Sequence, residues 1–415
     1  MKLNVKCLAL LGLLWAGIGL AQPEDIIFWH SMAGALGDEL NYLVKSYNQQ
    51  QSRYRIHAIY KGSYHDTMIS FIAAFRAHQA PHIIQISDIG TALMLATPNV
   101  IEPFYKLADT YHLTMPAHSL LANVAPFYSR EHRLQALPFN VSIPLMYFNK
   151  KALAKVGVNE TNFPKDWASF GQVLSALKRQ GYVCGFTTAY PGWIHIEAFG
   201  VLHHLSHSKI YSSALLLKHL ERLKSWQKAH YFEYGGQVDE AVMLFTNGRC
   251  AMLSDSSGSY QNLKTSTNFV VGVAPLPVDE TLKVRAPNLS GGGALWVRAH
   301  LSPAIYQGVA DFYRYWLTPQ VQQYWHLHTG YLSFFAHTTD KNKALLNVVA
   351  HDLSGSAEQS TSNTPLIPQH QLRLMHDELL EALFATNISV AAILQDTQQR
   401  ADYLLQRFWL NHPHT

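Results

Sequence analysis

Residues 137–149 read LPFNVSIPLMYFN, with Pro138 and Pro144 six positions apart. Proline fixes φ, donates no backbone hydrogen bond and pushes the residue before it towards extended geometry. The segment is therefore extended, and it interrupts a regular alternation. Upstream, residues 26–30 (IIFWH) read as a short buried strand, and 34–49 has helical spacing with Leu36, Leu40, Leu43, Val44 and Tyr47 on one face. Residues 54–60 alternate as a second strand, 66–77 read as a helix, and 81–86 as a third strand ending in Ser87-Asp88-Ile89-Gly90. Strand–helix alternation predicts an α/β lobe with a mainly parallel sheet. Ligands of such sheets sit beyond the carboxyl ends of the strands. The neighbourhoods of Tyr64 and Asp88 are the places to search.

Downstream of the extended segment the alternation resumes. A helix starts at 150–153 and stops at Val156-Gly157; another begins at 164–167, with Phe170, Val173, Leu174 and Leu177 recurring. Strands are expected at 183–188, followed by Gly192 and Trp193, at 250–253, which leads into a small-residue turn over 254–259, and at 269–274. A long amphipathic helix covers 215–229 between them. PNLSGGG at 287–293 is a second extended passage before an apolar strand at 294–297, and TGYLSF at 329–334 is a third. Helices are expected at 303–316, 319–325, 371–384 and 390–409, and a surface loop at 353–364. Three passages between α/β blocks imply two discontinuous lobes, 22–140 with 289–332 and 141–288 with 333–415. A cleft between such lobes can close over a ligand.

The chain has 415 residues, 48% of them hydrophobic, and a net charge of +4. That balance lacks the basic footprint of a nucleic-acid binder. Lys2 and Lys6, an apolar run over 7–20 and the small residues Gly19-Leu20-Ala21 predict a signal peptide over 1–21, cleaved before Gln22. The run is shorter than the roughly 20 residues of a membrane-spanning helix. About 390 residues remain, enough for two or three lobes. Two cysteines remain as well, Cys184 and Cys250, which in an oxidising compartment either pair or stay as buried thiols on separate strands.

The strings Phe28-Trp29-His30-Ser31-Met32, Tyr60-Lys61-Gly62-Ser63-Tyr64 and Ile72-Ala73-Ala74-Phe75-Arg76 resemble the opening of the periplasmic sn-glycerol-3-phosphate-binding proteins of ABC transporters. The resemblance continues, in order, through Pro138-Phe139-Asn140, Tyr147-Phe148-Asn149-Lys150, Gly192-Trp193-Ile194, Cys250-Ala251-Met252, Ser256-Ser257-Gly258-Ser259, Thr329-Gly330-Tyr331-Leu332 and Asp377-Glu378. It implies a maltose-binding-protein-like, two-lobed periplasmic-binding-protein fold. It implies no enzyme activity, no cofactor, and a monomer that hands its solute to a membrane permease with its ATPase. By resemblance, Tyr64 contacts the ligand, Asp88 stands where the family has a glutamate on glycerol hydroxyls, and Ser142, Ser256 and Gly292 lie on the phosphate side. Tyr331 and Arg373 keep the family residue types, whereas Tyr190 and Trp193 stand where the family has two tryptophans.

The same residues make chemical sense. Arg373 offers a planar fork to phosphate oxygens. The small-residue stretches 254–259 and 290–293 let backbone N–H groups approach an anion, more so if either opens a helix. Asp88 accepts from polyol hydroxyls, and Tyr64, Tyr190, Trp193 and Tyr331 can wall the pocket. Aspartate in place of glutamate at 88 shifts the polyol contact or recruits water, and tyrosine in place of tryptophan at 190 leaves room for a glycerophosphodiester, such as glycerophosphocholine, beside sn-glycerol-3-phosphate; another sugar or polyol is the alternative. Ser175-Ala176-Leu177-Lys178 fits the S-x-x-K pattern of penicillin-recognising enzymes but lacks its partner motifs. His203, His204 and His207, and His326 with His328, lack a carboxylate or cysteine at metal-ligand spacing and read as solvated helix residues.

Overall fold

The computed structural model describes residues 22–97, 99–115, 124–206, 209–335, 343–353 and 367–411. The expected leader at 1–21, His207 and nearly all of the 353–364 loop lie outside the described residues. The chain begins with β1 (Glu24–His30), α1 (Gly34–Gln50), β2 (Tyr54–Tyr60), α2 (Tyr64–Arg76), β3 (Ile83–Ser87), α3 (Thr91–Ala96), β4 (Ile101–Glu102) and α4 (Phe104–Tyr111). A small hairpin, β5 (Ser129–Arg130) and β6 (Arg133–Leu134), precedes β7 (Leu137–Pro138). Apart from the hairpin, which stands as its own two-stranded sheet, these strands build one sheet, ordered β2-β1-β3-β12-β4 with β7 also on β12 (Gly293–Arg298). Only β2-β1-β3 pair in parallel; β12 runs antiparallel to β3, β4 and β7. The sheet is thus mixed where a mainly parallel one was expected. The reason is that β12 arrives through a late crossing and enters from the opposite end.

The second sheet is built from β8 (Pro144–Asn149), β9 (Cys184–Thr188), β10 (Cys250–Ser256) and β11 (Val271–Ala274), in the order β11-β8-β10-β9. Helices α5 (Lys150–Ala154), α6 (Trp167–Arg179), α7 (Phe199–Leu202), α8 (Ala214–Lys228), α9 (Val242–Thr246) and α10 (Tyr260–Ser266) are interleaved with it. Asp166 caps α6, its carboxylate accepting from Ser169 N at 2.8 Å. After β12 come α11 (Pro303–Trp316), α12 (Pro319–Thr329), α13 (Lys343–Leu353), α14 (Gln369–Ala385) and α15 (Val390–Asn411).

Strand geometry explains how the sheet is covered on both faces. Successive side chains of β8 point to opposite sides. Leu145 and Tyr147 join a core that continues from the first sheet, while Met146 and Phe148 join a second core. That second core is closed by Leu372, Leu379, Leu380 and Leu383 of α14 and by Ile393 and Leu394 of α15. Each such fully buried side chain is worth roughly 1.5–3 kcal/mol. Cys184 and Cys250 are directly opposed on the parallel pair β9 and β10, and they form a disulfide with Cα atoms 4.4 Å apart. Of the two outcomes that spacing alone left open, adjacency in the sheet selects the bond.

The chain passes between the sheets at residues 139–143. It passes again before β12, where Ser142 and Gly291 exchange backbone hydrogen bonds at 3.0 and 2.8 Å. After α12, Leu332 N donates to Val141 O at 2.8 Å. All three extended passages of the sequence therefore lie side by side. Among the described residues no helix is long and apolar enough to cross a membrane.

Candidate functional site

The junction between the sheets gathers the residues singled out in the sequence. Asn140, fully buried in the first crossing, donates from Nδ2 to the Tyr64 hydroxyl at 2.7 Å. Its Oδ1 accepts from Gln85 Nε2 at 2.9 Å, and Gln85 Oε1 accepts from Ser31 N at 2.8 Å. This chain of bonds runs from the end of β1 through β3 to the start of α2. Burial drives the Tyr64 hydroxyl pKa well upward, with Tyr331, Tyr190 and Asp88 close enough to add to the shift. Tyr64 therefore stays a neutral donor.

Tyr331 lies against Gly258; a Cβ there would stand 2.5 Å from the tyrosine ring, so only glycine permits the contact. Trp193 covers Gly291 in the same manner and meets Tyr190 edge-on at 6.4 Å. Gly292 has φ 101°, and a Cβ would fall 2.0 Å from Asn140 O, so the second crossing needs glycine twice over. Its carbonyl accepts from Asp88 N at 2.7 Å. Tyr190 has φ 45°, rare for a bulky non-glycine residue, and its N–H donates to Val238 O at 2.6 Å. A residue held in that region costs on the order of 1–3 kcal/mol and clusters at ligand sites.

The expected turn at 254–259 divides differently. Strand β10 continues to Ser256, and residues 257–259 form a single 3-10 turn that leads into α10. The Ser256 hydroxyl accepts from Gly258 N at 3.0 Å, which leaves its own O–H to donate. The stretch at 290–293 runs directly into β12 and opens no helix. Ser142 is buried, and its hydroxyl makes no hydrogen bond with any described residue.

Arg373, on the second turn of α14, is the electrostatic centre. It is not exposed as a lone arginine before an acidic helix would ordinarily be. Its Nε and Nη2 grip both carboxylate oxygens of Glu197, the second bond at 2.6 Å, and Nη2 reaches Asp88 Oδ2 at 3.5 Å. Glu197 is buried, which alone would raise its pKa, but Arg373 and His376 together hold it far below the usual carboxylate range. His376 Nδ1 lies 2.9 Å from Glu197 Oε1, and its Nε2 lies 2.6 Å from the Tyr211 hydroxyl. Burial pushes Asp88 up to about 6, with Arg373 opposing and Glu197 reinforcing. Asp377, one turn beyond Arg373, is pushed up to about 7 by burial despite the arginine. Asp255 is likewise raised to about 7 by burial.

Sequence reasoning missed Asn140 as a positioning group, and missed Glu197, Asp255 and Asp377 as charges. A signal for Glu197 existed: it is a carboxylate inside the apolar run WIHIEAFGVL at 193–202. Residues Trp193–Ala198 form a π-helix, a form that frequently marks functional sites. The expectation of solvated histidines fails at His203 and His326, which are buried. His203 accepts from Asp279 N at 2.7 Å, and His326 Nδ1 lies 2.7 Å from Tyr331 O. Ser175, of the S-x-x-K pattern, accepts from Arg179 at 2.9 Å on the surface. Among the described residues, Cys184, Glu233 and Cys250 group metal-ligating atoms within 4.8 Å, and the disulfide occupies both sulfurs.

A mixed two-sheet molecule with polar groups converging where three strands cross is the architecture of a solute-binding protein. Residues 42–344 match the family model of bacterial extracellular solute-binding proteins, and the chain belongs to that family. It is 32% identical over 408 residues to the sn-glycerol-3-phosphate-binding periplasmic protein UgpB of Yersinia pestis, covering 92% of this chain and 93% of that protein. It is 31% identical over 425 residues to the UgpB of Salmonella typhimurium, covering 96% of each. In fold it is similar to UgpB from Mycobacterium tuberculosis in complex with glycerophosphocholine, with TM-score 0.76, 19% identity, and coverage of 92% and 98%. It is also similar to maltose-bound MalE3 of T. maritima, with TM-score 0.75, 16% identity, and coverage of 92% and 100%. The two-lobed, maltose-binding-protein-like fold follows from these likenesses.

Proposed function

We propose that this protein is the periplasmic binding component of an ABC importer for sn-glycerol-3-phosphate, glycerophosphodiesters of the glycerophosphocholine type, or both. The observation that carries the reading is the Arg373 centre: a mostly enclosed guanidinium, within reach of Asp88, at the junction of the two sheets. Phosphate oxygens take the free Nη1 of Arg373 and the hydroxyls of Ser142 and Ser256, with Gly292 keeping the backbone close. Glycerol hydroxyls donate to Asp88, and Tyr64, Tyr190, Trp193 and Tyr331 wall the ligand. The lobes are 22–140 with 289–332, and 141–288 with 333–415; their closure is favoured by contacts the ligand makes with both. The closed form then delivers the ligand to a permease and its ATPase. The chain carries no catalytic step in this reading, acts as a monomer, and reaches its compartment through the leader at 1–21.

Isothermal calorimetry with both phosphate esters tests this. Binding of at least one with a micromolar or tighter Kd is expected. No heat from either at millimolar ligand, with maltose or glycerol binding instead, would replace the phosphate-ester assignment by the sugar or polyol alternative.

A further inference from the structure

We infer that Glu197 is a positioning residue that decides which edge of the Arg373 guanidinium is offered to the ligand. An arginine can present two bidentate edges to an oxyanion, Nε with one Nη or the two Nη groups together. Here the first edge is taken. Nε and Nη2 hold the two Glu197 oxygens, and Nη2 spends its remaining N–H towards Asp88. Nη1 alone has no hydrogen bond to a described residue, so the phosphate must arrive on the Nη1/Nη2 edge. There it competes with Asp88 for Nη2.

The carboxylate is itself fixed from behind. His376 Nδ1 lies on the same Glu197 oxygen as Arg373 Nε, and Tyr211 holds the far side of the His376 ring. The π-helical turn Trp193–Ala198 brings Glu197 onto α14, and Gly192 allows the close approach, since a Cβ there would lie 2.5 Å from Asp377. Glu197 also cancels much of the arginine's charge before any ligand binds. The Glu197–Arg373 unit therefore attracts phosphate by fixed N–H geometry rather than by a free positive charge. Substitution of the glutamate frees the side chain to swing towards Asp88 and Asp377, and the fork is lost.

This rests on the phosphate-ester reading of the cleft, and the experiment separates the two. Calorimetry is run on the wild type, Glu197→Gln, Arg373→Ala and the double variant, with whichever ester the wild type binds. Glu197→Gln is expected to raise Kd at least about tenfold in the wild-type background and to have no further effect in the Arg373→Ala background. An equal, additive loss in both backgrounds would mean a purely structural role and overturn the proposal, as would an unchanged Kd. A second arm needs no ligand: ¹⁵N-edited NMR of the wild-type guanidinium groups, with Arg373 assigned by elimination in Arg373→Lys. The Arg373 Nε–H is expected to be protected from exchange in the free protein. An exchanging, solvent-like Nε–H overturns the proposal even where wild-type binding of neither ester has already removed the functional reading.

Discussion

Asp255 shows how burial sets the state of a single group. It is fully buried at the end of β10, one oxygen accepting from Ser256 N at 2.6 Å, and its pKa is raised from 3.8 to about 7 by burial. A raised pKa means that the folded protein favours the protonated acid. The stability linked to it is present below pH 3.8 and is lost as pH rises through about 7. Asp255→Asn supplies a permanently neutral group of the same shape. Its stability advantage over the wild type should grow between pH 4 and 7, at up to about 1.4 kcal/mol per pH unit, and level off above pH 8. Urea denaturation at pH 5 and pH 8 measures this; a difference independent of pH would show that the carboxyl does not titrate in that window. Buried His195, with its pKa lowered to about 3, works in the opposite direction and loses stability as pH falls below 6.5, so the comparison must be made against the wild type at each pH.

At the scale of elements, the disulfide ties two strands that already pair. Cys184 and Cys250 are 66 residues apart in sequence and directly opposed in register. The ladder holds the folded state without the bond, so the bond acts mainly by restricting the unfolded chain. Closing a loop of that length is worth about 4 kcal/mol on the chain-entropy account. The Cys184→Ser, Cys250→Ser pair should fold, bind ligand with little change in Kd, and unfold at a clearly lower urea midpoint. A midpoint equal to that of the oxidised wild type would mean that the bond contributes nothing to stability. Much of this was legible in the sequence: β8 lies in the proline-bounded segment read as extended, and α1, α8, α11 and α14 were read from spacing within a residue or two of their ends. The direction of β12 was not legible, because an antiparallel and a parallel neighbour bury the same side chains.

At the scale of the molecule, two contacts join helices on opposite sides of the cleft. Arg373 on α14 meets Asp88 after β3, and His65 on α2 meets His370 on α14 with ring nitrogens 2.9 Å apart and rings nearly parallel. The histidine pair makes no hydrogen bond to Asp88 or Arg373, although after burial and His65 the Arg373 charge also lowers the His370 pKa. His65→Ala and His370→Ala should each raise the ligand Kd about fivefold, the effect of losing one hydrogen bond of ~1 kcal/mol. The double variant should be no worse than either single one. Additive losses in calorimetry would mean that the two rings act separately.

The sequence by itself determined most of the long helices and the strands they alternate with, the three extended passages, and several of the residue types that meet between the sheets. Those depend on local periodicity, proline chemistry and side-chain inventory, all readable along one chain. Only the tertiary structure decided that Arg373 is already gripped by Glu197, that Cys184 faces Cys250, and that Asn140 aims the Tyr64 hydroxyl. Each of those partners lies tens to hundreds of positions away, and burial makes them matter. An unpaired charge or amide in water has many partners, whereas the same group enclosed between two sheets has only those the fold brings to it.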